Sequence, residues 1–186
     1  MVSLMALWLP ILLSAVVVFV ASSVIHTVLT FHKGDYQPLP NEEKALGAIR
    51  SLGLAPGSYH FPYCGKHKDM KSPEYQDKLK QGPIGLMTVF PNGMPKMAKY
   101  LVCWFLYCLA ISVFVAYLAG RTLGPGTAYL AVFRVAGTVG FLSYGMAHAH
   151  ASIWEGRAWG TTFKFWFDAL VYSLLTAGVF GWLWPR

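Results

Sequence analysis

The chain has 186 residues, 55% of them hydrophobic and only 12% charged, about half the charged share, roughly 25%, of a soluble domain. Its mean hydropathy is +0.46. These values exclude a disordered chain and a collagen-like repeat, are at odds with a water-soluble surface, and predict a small integral membrane protein.

No Asp, Glu, Lys or Arg occurs in residues 1–32, and the first predicted helix falls there, near 5–28. A cleaved signal peptide is the alternative for this segment. The first ten residues lack the basic stretch such a peptide carries, so an uncleaved span is expected. Further charge gaps cover 100–120 and 135–154, and the gap 165–185 is interrupted only by Asp168. They predict spans near 99–120, 129–151 and 162–184. Each is close to the ~20 apolar residues a helix needs to cross a hydrocarbon layer of ~30 Å. Lipid leaves the backbone no partner but itself, so helices are expected. The predicted fold is an all-α membrane protein, one integral membrane domain over 1–186. It is a four-transmembrane-helix bundle with a long, partly ordered cytoplasmic loop, 29–98, between helices 1 and 2.

That loop carries most of the basic residues. Asn41-Glu42-Glu43 and Ser72-Pro73-Glu74 are helix starts, with an oxygen-bearing cap and acids at the positive end. The run Ile84 to Phe90 has strand length and ends at the turn Pro91-Asn92-Gly93. Of the remaining Lys and Arg, Arg157 and Lys164 lie on the loop's side, while Arg121 and Arg186 lie opposite. The bias places the loop in the cytoplasm and both termini outside it. The net charge of +7 then faces anionic lipid headgroups. With no nucleic-acid motif present, nucleic acid is not an expected partner.

Each span carries a row of residues at four-residue spacing, which lie on one helix face. The rows are Ser14, Val18, Ser22 and His26; Cys108, Ser112, Ala116 and Gly120; Ala136, Gly140, Tyr144 and His148; and Ala169, Ser173, Ala177 and Gly181. Small side chains let membrane helices approach closely, so Gly140, Ala169, Ser173, Ala177 and Gly181 are the expected packing residues.

Ionisable groups inside apolar spans are costly and are functional candidates. Asp168, His148, His150 and His26 come from three spans at one approximate depth. They are candidates for a divalent metal site, a proton relay or a haem held between two imidazoles. The competing reading is a set of hydrogen bonds that ties helices together. The loop adds His60-x-x-x-Cys64-x-x-His67, with imidazole and thiolate ligands suited to zinc or copper. Its spacing matches no standard zinc motif, and Lys66 and Lys68 oppose a cation there. No Cys-x-x-Cys-His motif, phosphate-binding glycine loop, nucleophile elbow or zinc-protease helix occurs. No cofactor is required by the sequence, and catalysis is not expected.

The C-terminal third carries Glu155-Gly156-Arg157-x-Trp159, Asp168-x-x-x-Tyr172 and Gly178-x-x-Gly181-x-Leu183-Trp184. These residues, with the general hydrophobic plan, resemble a family of small four-span bacterial membrane proteins of unknown function. The long loop departs from that family's compact plan. The resemblance implies a bacterial inner membrane and brings no activity or catalytic residues. The expected role is a structural, accessory or interaction subunit of a membrane assembly, or a self-associating protein. A proton-coupled or small-solute carrier using Asp168 and the nearby histidines is the first alternative. A metal- or haem-binding redox protein is the second.

Overall fold

The computed structural model describes all residues, Met1–Arg186. Helix accounts for 66% of them. Four helical stretches are long and apolar enough to cross a membrane: Met5–Thr27, Met97–Thr122, Tyr129–Trp154 and Trp159–Trp182. The chain packs as two units, Met1–Asp35 with Lys96–Arg186, and Tyr36–Pro95.

In the first unit, a short 3-10 turn leads into α1 (Trp8–Thr27). α1 is apolar on nearly every side, and Pro10 sits in its first turn, where the missing N–H costs nothing. α1 packs against α4 (Met97–Thr122) and α7 (Trp159–Trp182). The third long stretch comprises α5 (Tyr129–Phe141), a π-helical turn at Leu142–Met146, and α6 (His148–Trp154). α5 packs against α4 and α7.

The cross-links set the directions. Ser14 Oγ donates to Ser112 Oγ at 3.0 Å, and Trp104 Nε1 donates to Ser22 Oγ at 2.7 Å. As the number rises on α1 it falls on α4, so the two run antiparallel. Val2 N–H donates to the Gly120 carbonyl at 2.8 Å, and Gly126 N–H to the Pro185 carbonyl at 2.9 Å. Both termini therefore lie at the same end of the bundle as the 120–127 connection. Trp104→Phe removes one of these ties and puts a smaller aromatic ring in place of the indole. Its expected cost is about 0.6–1 kcal/mol, read as a shift of the unfolding midpoint in a denaturing-detergent titration.

The small-residue rows face inward. Ser14, Val18, Ser22, Cys108, Ser112, Ala116, Ala136, Ala169, Ser173 and Ala177 are all buried. α5 meets α7 where neither has bulk: a Cβ on Gly140 would stand 3.3 Å from Ser173 Cα. The π turn is wider than an α turn and loosens the carbonyls of the regular ladder. Two side chains satisfy them: the Tyr107 hydroxyl donates to Ser143 O at 3.3 Å, and Trp166 Nε1 to Gly145 O at 3.1 Å.

The second unit begins with α2 (Glu42–Ser51) and continues through β1 (Gly57–Phe61), α3 (Pro73–Gln81) and β2 (Gly85–Val89). The Asn41 side chain caps α2 by accepting from Lys44 N–H at 3.4 Å. Ser72 Oγ caps α3 through Tyr75 N–H at 3.3 Å. The strands pair antiparallel, with Gly57 opposite Val89 and Phe61 opposite Gly85. The apolar run of the sequence thus forms a strand, and its partner is the segment that carries His60.

Candidate functional site

α1 ends at Thr27, and the chain then folds back in tight turns. Lys33 N–H donates to Thr30 O at 3.2 Å, and Asp35 N–H to His32 O at 3.1 Å. The turns return His32 to the bundle, where its ring lies 4.4 Å from that of His26 and 5.3 Å from that of Phe165. Each ring nitrogen of His32 meets a carboxylate. Nδ1 is 2.6 Å from Asp35 Oδ2, and Nε2 is 2.9 Å from Asp168 Oδ2. Asp35 is held from the other side by Lys164 Nζ at 2.7 Å from Oδ1.

Burial pushes the Asp35 carboxyl up, but the hydrogen bonds from Lys164 and His32 outweigh it and hold the group below its ordinary value. Its contribution to stability is present in full above the ordinary carboxylate value and is lost as pH falls through the lowered one.

Asp168 sits on α7 and is 2% exposed. Besides His32, its Oδ2 faces His26 Nε2 at 3.5 Å. His26, His32 and Asp168 each offer one ligating atom, and these atoms all lie within 4.8 Å of one another. Ligands around a tetrahedral zinc ion at ~2.0–2.2 Å stand about 3.3–3.6 Å apart. The His26–Asp168 spacing already fits that geometry, and the His32–Asp168 hydrogen bond would open by about half an ångström to match it. Two imidazoles and one carboxylate form a three-ligand set that leaves coordination positions open, as in catalytic zinc sites and non-haem Fe(II) sites. Asp35 completes the pattern. A carboxylate on Nδ1 sets the tautomer and turns the Nε2 lone pair toward the ion.

The structure brings together two of the four span residues singled out in the sequence, His26 and Asp168. His148 lies nearby but outside the trio; its ring stacks on Phe165 at 4.5 Å and 7°. His150 stands apart, with Nδ1 3.7 Å from Glu155 Oε1. The sequence reading left His32 and Asp35 out of the set because they lie beyond the helix end, in a turn without periodicity. Their only signal was a His and an Asp three residues apart immediately after an apolar span.

The loop residues do not gather into a second cluster. His60 Nδ1 faces the Pro62 carbonyl at 3.1 Å, Cys64 Sγ donates to Lys66 O at 3.2 Å, and His67 opens the short 3-10 turn His67–Lys71. No group that includes them has three ligating atoms in reach of one ion.

A cavity of about 690 Å³ borders the trio. His26 and Asp168 form part of its wall, together with His148, Trp104, Tyr107, Tyr144, Phe165 and Tyr172. Three residues of this wall each carry a polar atom buried without a hydrogen-bond partner: Asp168 Oδ1 and the hydroxyls of Tyr144 and Tyr172. The Tyr144 hydroxyl has the Cys108 thiol beside it, a weak acceptor.

Comparison with known proteins finds no matching family model, curated protein or solved structure.

Proposed function

We propose that the protein is a four-span membrane protein that binds one divalent first-row transition metal through His26, His32 and Asp168. The observation that carries this reading is the convergence of their ligating atoms within 4.8 Å, with Asp35 on the far side of the His32 ring. The metal would act as a Lewis acid or redox centre in an otherwise apolar wall. Asp168 supplies charge, His32 is oriented by Asp35, and Lys164 holds Asp35 in place.

The four apolar helices support a multi-pass arrangement. The distribution of Lys and Arg supports a cytoplasmic location for residues 36–95 and for the metal end of the bundle, with both termini outside. The resemblance in the C-terminal third supports a bacterial inner membrane. Anionic headgroups would meet the basic side. An alkaline phosphatase fusion after Arg186 is expected to be active, as the enzyme is only outside the cytoplasm; an inactive but stable fusion inverts the orientation.

Metal content tests the central reading. Protein purified in mild detergent is expected to carry about one equivalent of zinc, iron or another first-row ion, or to take one up after chelation and dialysis. The His26→Ala/His32→Ala double variant is expected to bind none. Unchanged metal in that variant, or no uptake by the parent protein, overturns the reading. The trio would then be a hydrogen-bonded tie between α7 and the exit of α1, as expected of an accessory or interaction subunit.

A further inference from the structure

We propose that the cavity beside the trio is a binding site for a neutral, lipid-soluble ring compound bearing a hydroxyl group. The inference does not rest on the metal. It starts from an imbalance in hydrogen bonding. Folded chains leave few buried polar groups unpaired, because each loses water and gains nothing in return. In this chain three buried side-chain atoms lack a partner, and all three belong to residues in the wall of this one cavity. Asp168, Tyr144 and Tyr172 are each at most 5% exposed. They come from the π turn and α7, which pack together, so their convergence is a property of the fold.

The chemistry of these groups selects the ligand. Asp168 Oδ1 accepts, and each tyrosine hydroxyl both donates and accepts. A ligand hydroxyl can donate to the carboxylate and accept from a tyrosine at once. The rest of the wall is mostly apolar surface, with Trp104, Tyr107 and Phe165 offering ring faces and Ser22, Ser23, Thr27, His26 and His148 adding polar groups. No Lys or Arg lines the cavity, which removes the usual partner of an anion. An organic cation, which cannot take the imidazoles as ligands, is disfavoured because Asp168 Oδ2 already faces both of them. A volume of about 690 Å³ lies within the range of small-molecule pockets and admits one ring with a short alkyl tail. At the rim, Tyr100, Leu101 and Tyr107 of α4 are each about half exposed on its apolar surface. In the four-span reading that surface faces acyl chains, so the ligand enters from the bilayer.

The probe is 4-hexylphenol, compared with hexylbenzene and hexyltrimethylammonium. Binding is measured by saturation-transfer NMR with chelated protein in lipid nanodiscs, and empty nanodiscs as the blank. The expected result is saturable binding of the phenol, with hexylbenzene and the ammonium compound at least about tenfold weaker. Tyr172→Phe removes only an unpaired hydroxyl, and Tyr144→Phe one with only the weak acceptor Cys108 to donate to. Each is expected to weaken phenol binding about fivefold or more while leaving the unfolding midpoint unchanged or raised. Equal binding of hexylbenzene, tighter binding of the ammonium compound, or unaltered affinity in the double Phe variant overturns the proposal. The Asp35→Asn protein, changed at a residue outside the cavity wall, is expected to keep phenol binding while its metal affinity falls. Loss of binding there overturns the cavity as an independent site and leaves the metal reading untouched.

Discussion

Asp168→Asn is expected to lower metal affinity by at least about a hundredfold, more than any other single change at the site. Asn keeps the shape and one carbonyl oxygen but removes the only anionic ligand of the trio. It also removes the charge that His32 Nε2 faces at 2.9 Å, and a hydrogen bond to a charged group is worth about 1.5–3 kcal/mol. Asp35→Asn acts one step further out, by loosening the His32 ring, and is expected to cost about 10–100-fold. His150→Ala is expected to change nothing, since that ring sits on Glu155 at the surface. Competition with a chelator of known affinity ranks the three variants. Wild-type affinity in Asp168→Asn removes the trio as a ligand set. An equal loss in His150→Ala reveals a general effect on folding instead.

Gly140→Leu is expected to destabilise the bundle by about 3 kcal/mol, the upper end of ordinary overpacking. The added side chain would start 3.3 Å from the backbone of Ser173 and point into α7. Neither helix can retreat there, because α7 packs on α1 at the same time. Gly181→Leu is the informative contrast. Its Cβ would come closer, 2.7 Å from the Tyr129 ring. That ring ends a flexible side chain that is 47% exposed and can swing aside. The closer contact should therefore cost less. A denaturing-detergent titration that ranks Gly181→Leu as the more harmful of the two contradicts the backbone argument.

The long helices were legible because charge is expensive in an apolar span, and its absence marks their extent within a few residues. The packing faces were legible because small residues repeat at four-residue spacing. The caps at Asn41 and Ser72 followed from side-chain chemistry alone. The strand at Gly85–Val89 was visible as an apolar run, but its partner Gly57–Phe61 was not, because two Gly/Ser positions and a histidine dilute its pattern. For the site, the sequence pattern groups His148 with His150, and the structure sets them apart. Residues two apart lie on nearly opposite sides of a helix, so only one of the pair can face inward. His32 could not be placed without knowing how the turns after α1 fold back, since turns carry no repeating signal. The π turn was equally invisible, as nothing in Leu142-Ser143-Tyr144-Gly145-Met146 departs from an ordinary helix.

That widened turn also acts as a phase adjuster. It holds one residue more than the regular winding would, and every position after it is rotated by about 100° relative to an uninterrupted α-helix. The residues of α6, His148 among them, take their bearing from this shift. Excising a single residue from the stretch would restore uniform winding and turn the residues of α6 by that angle about the helix axis. The same deletion would leave the chain's hydropathy profile nearly unaltered.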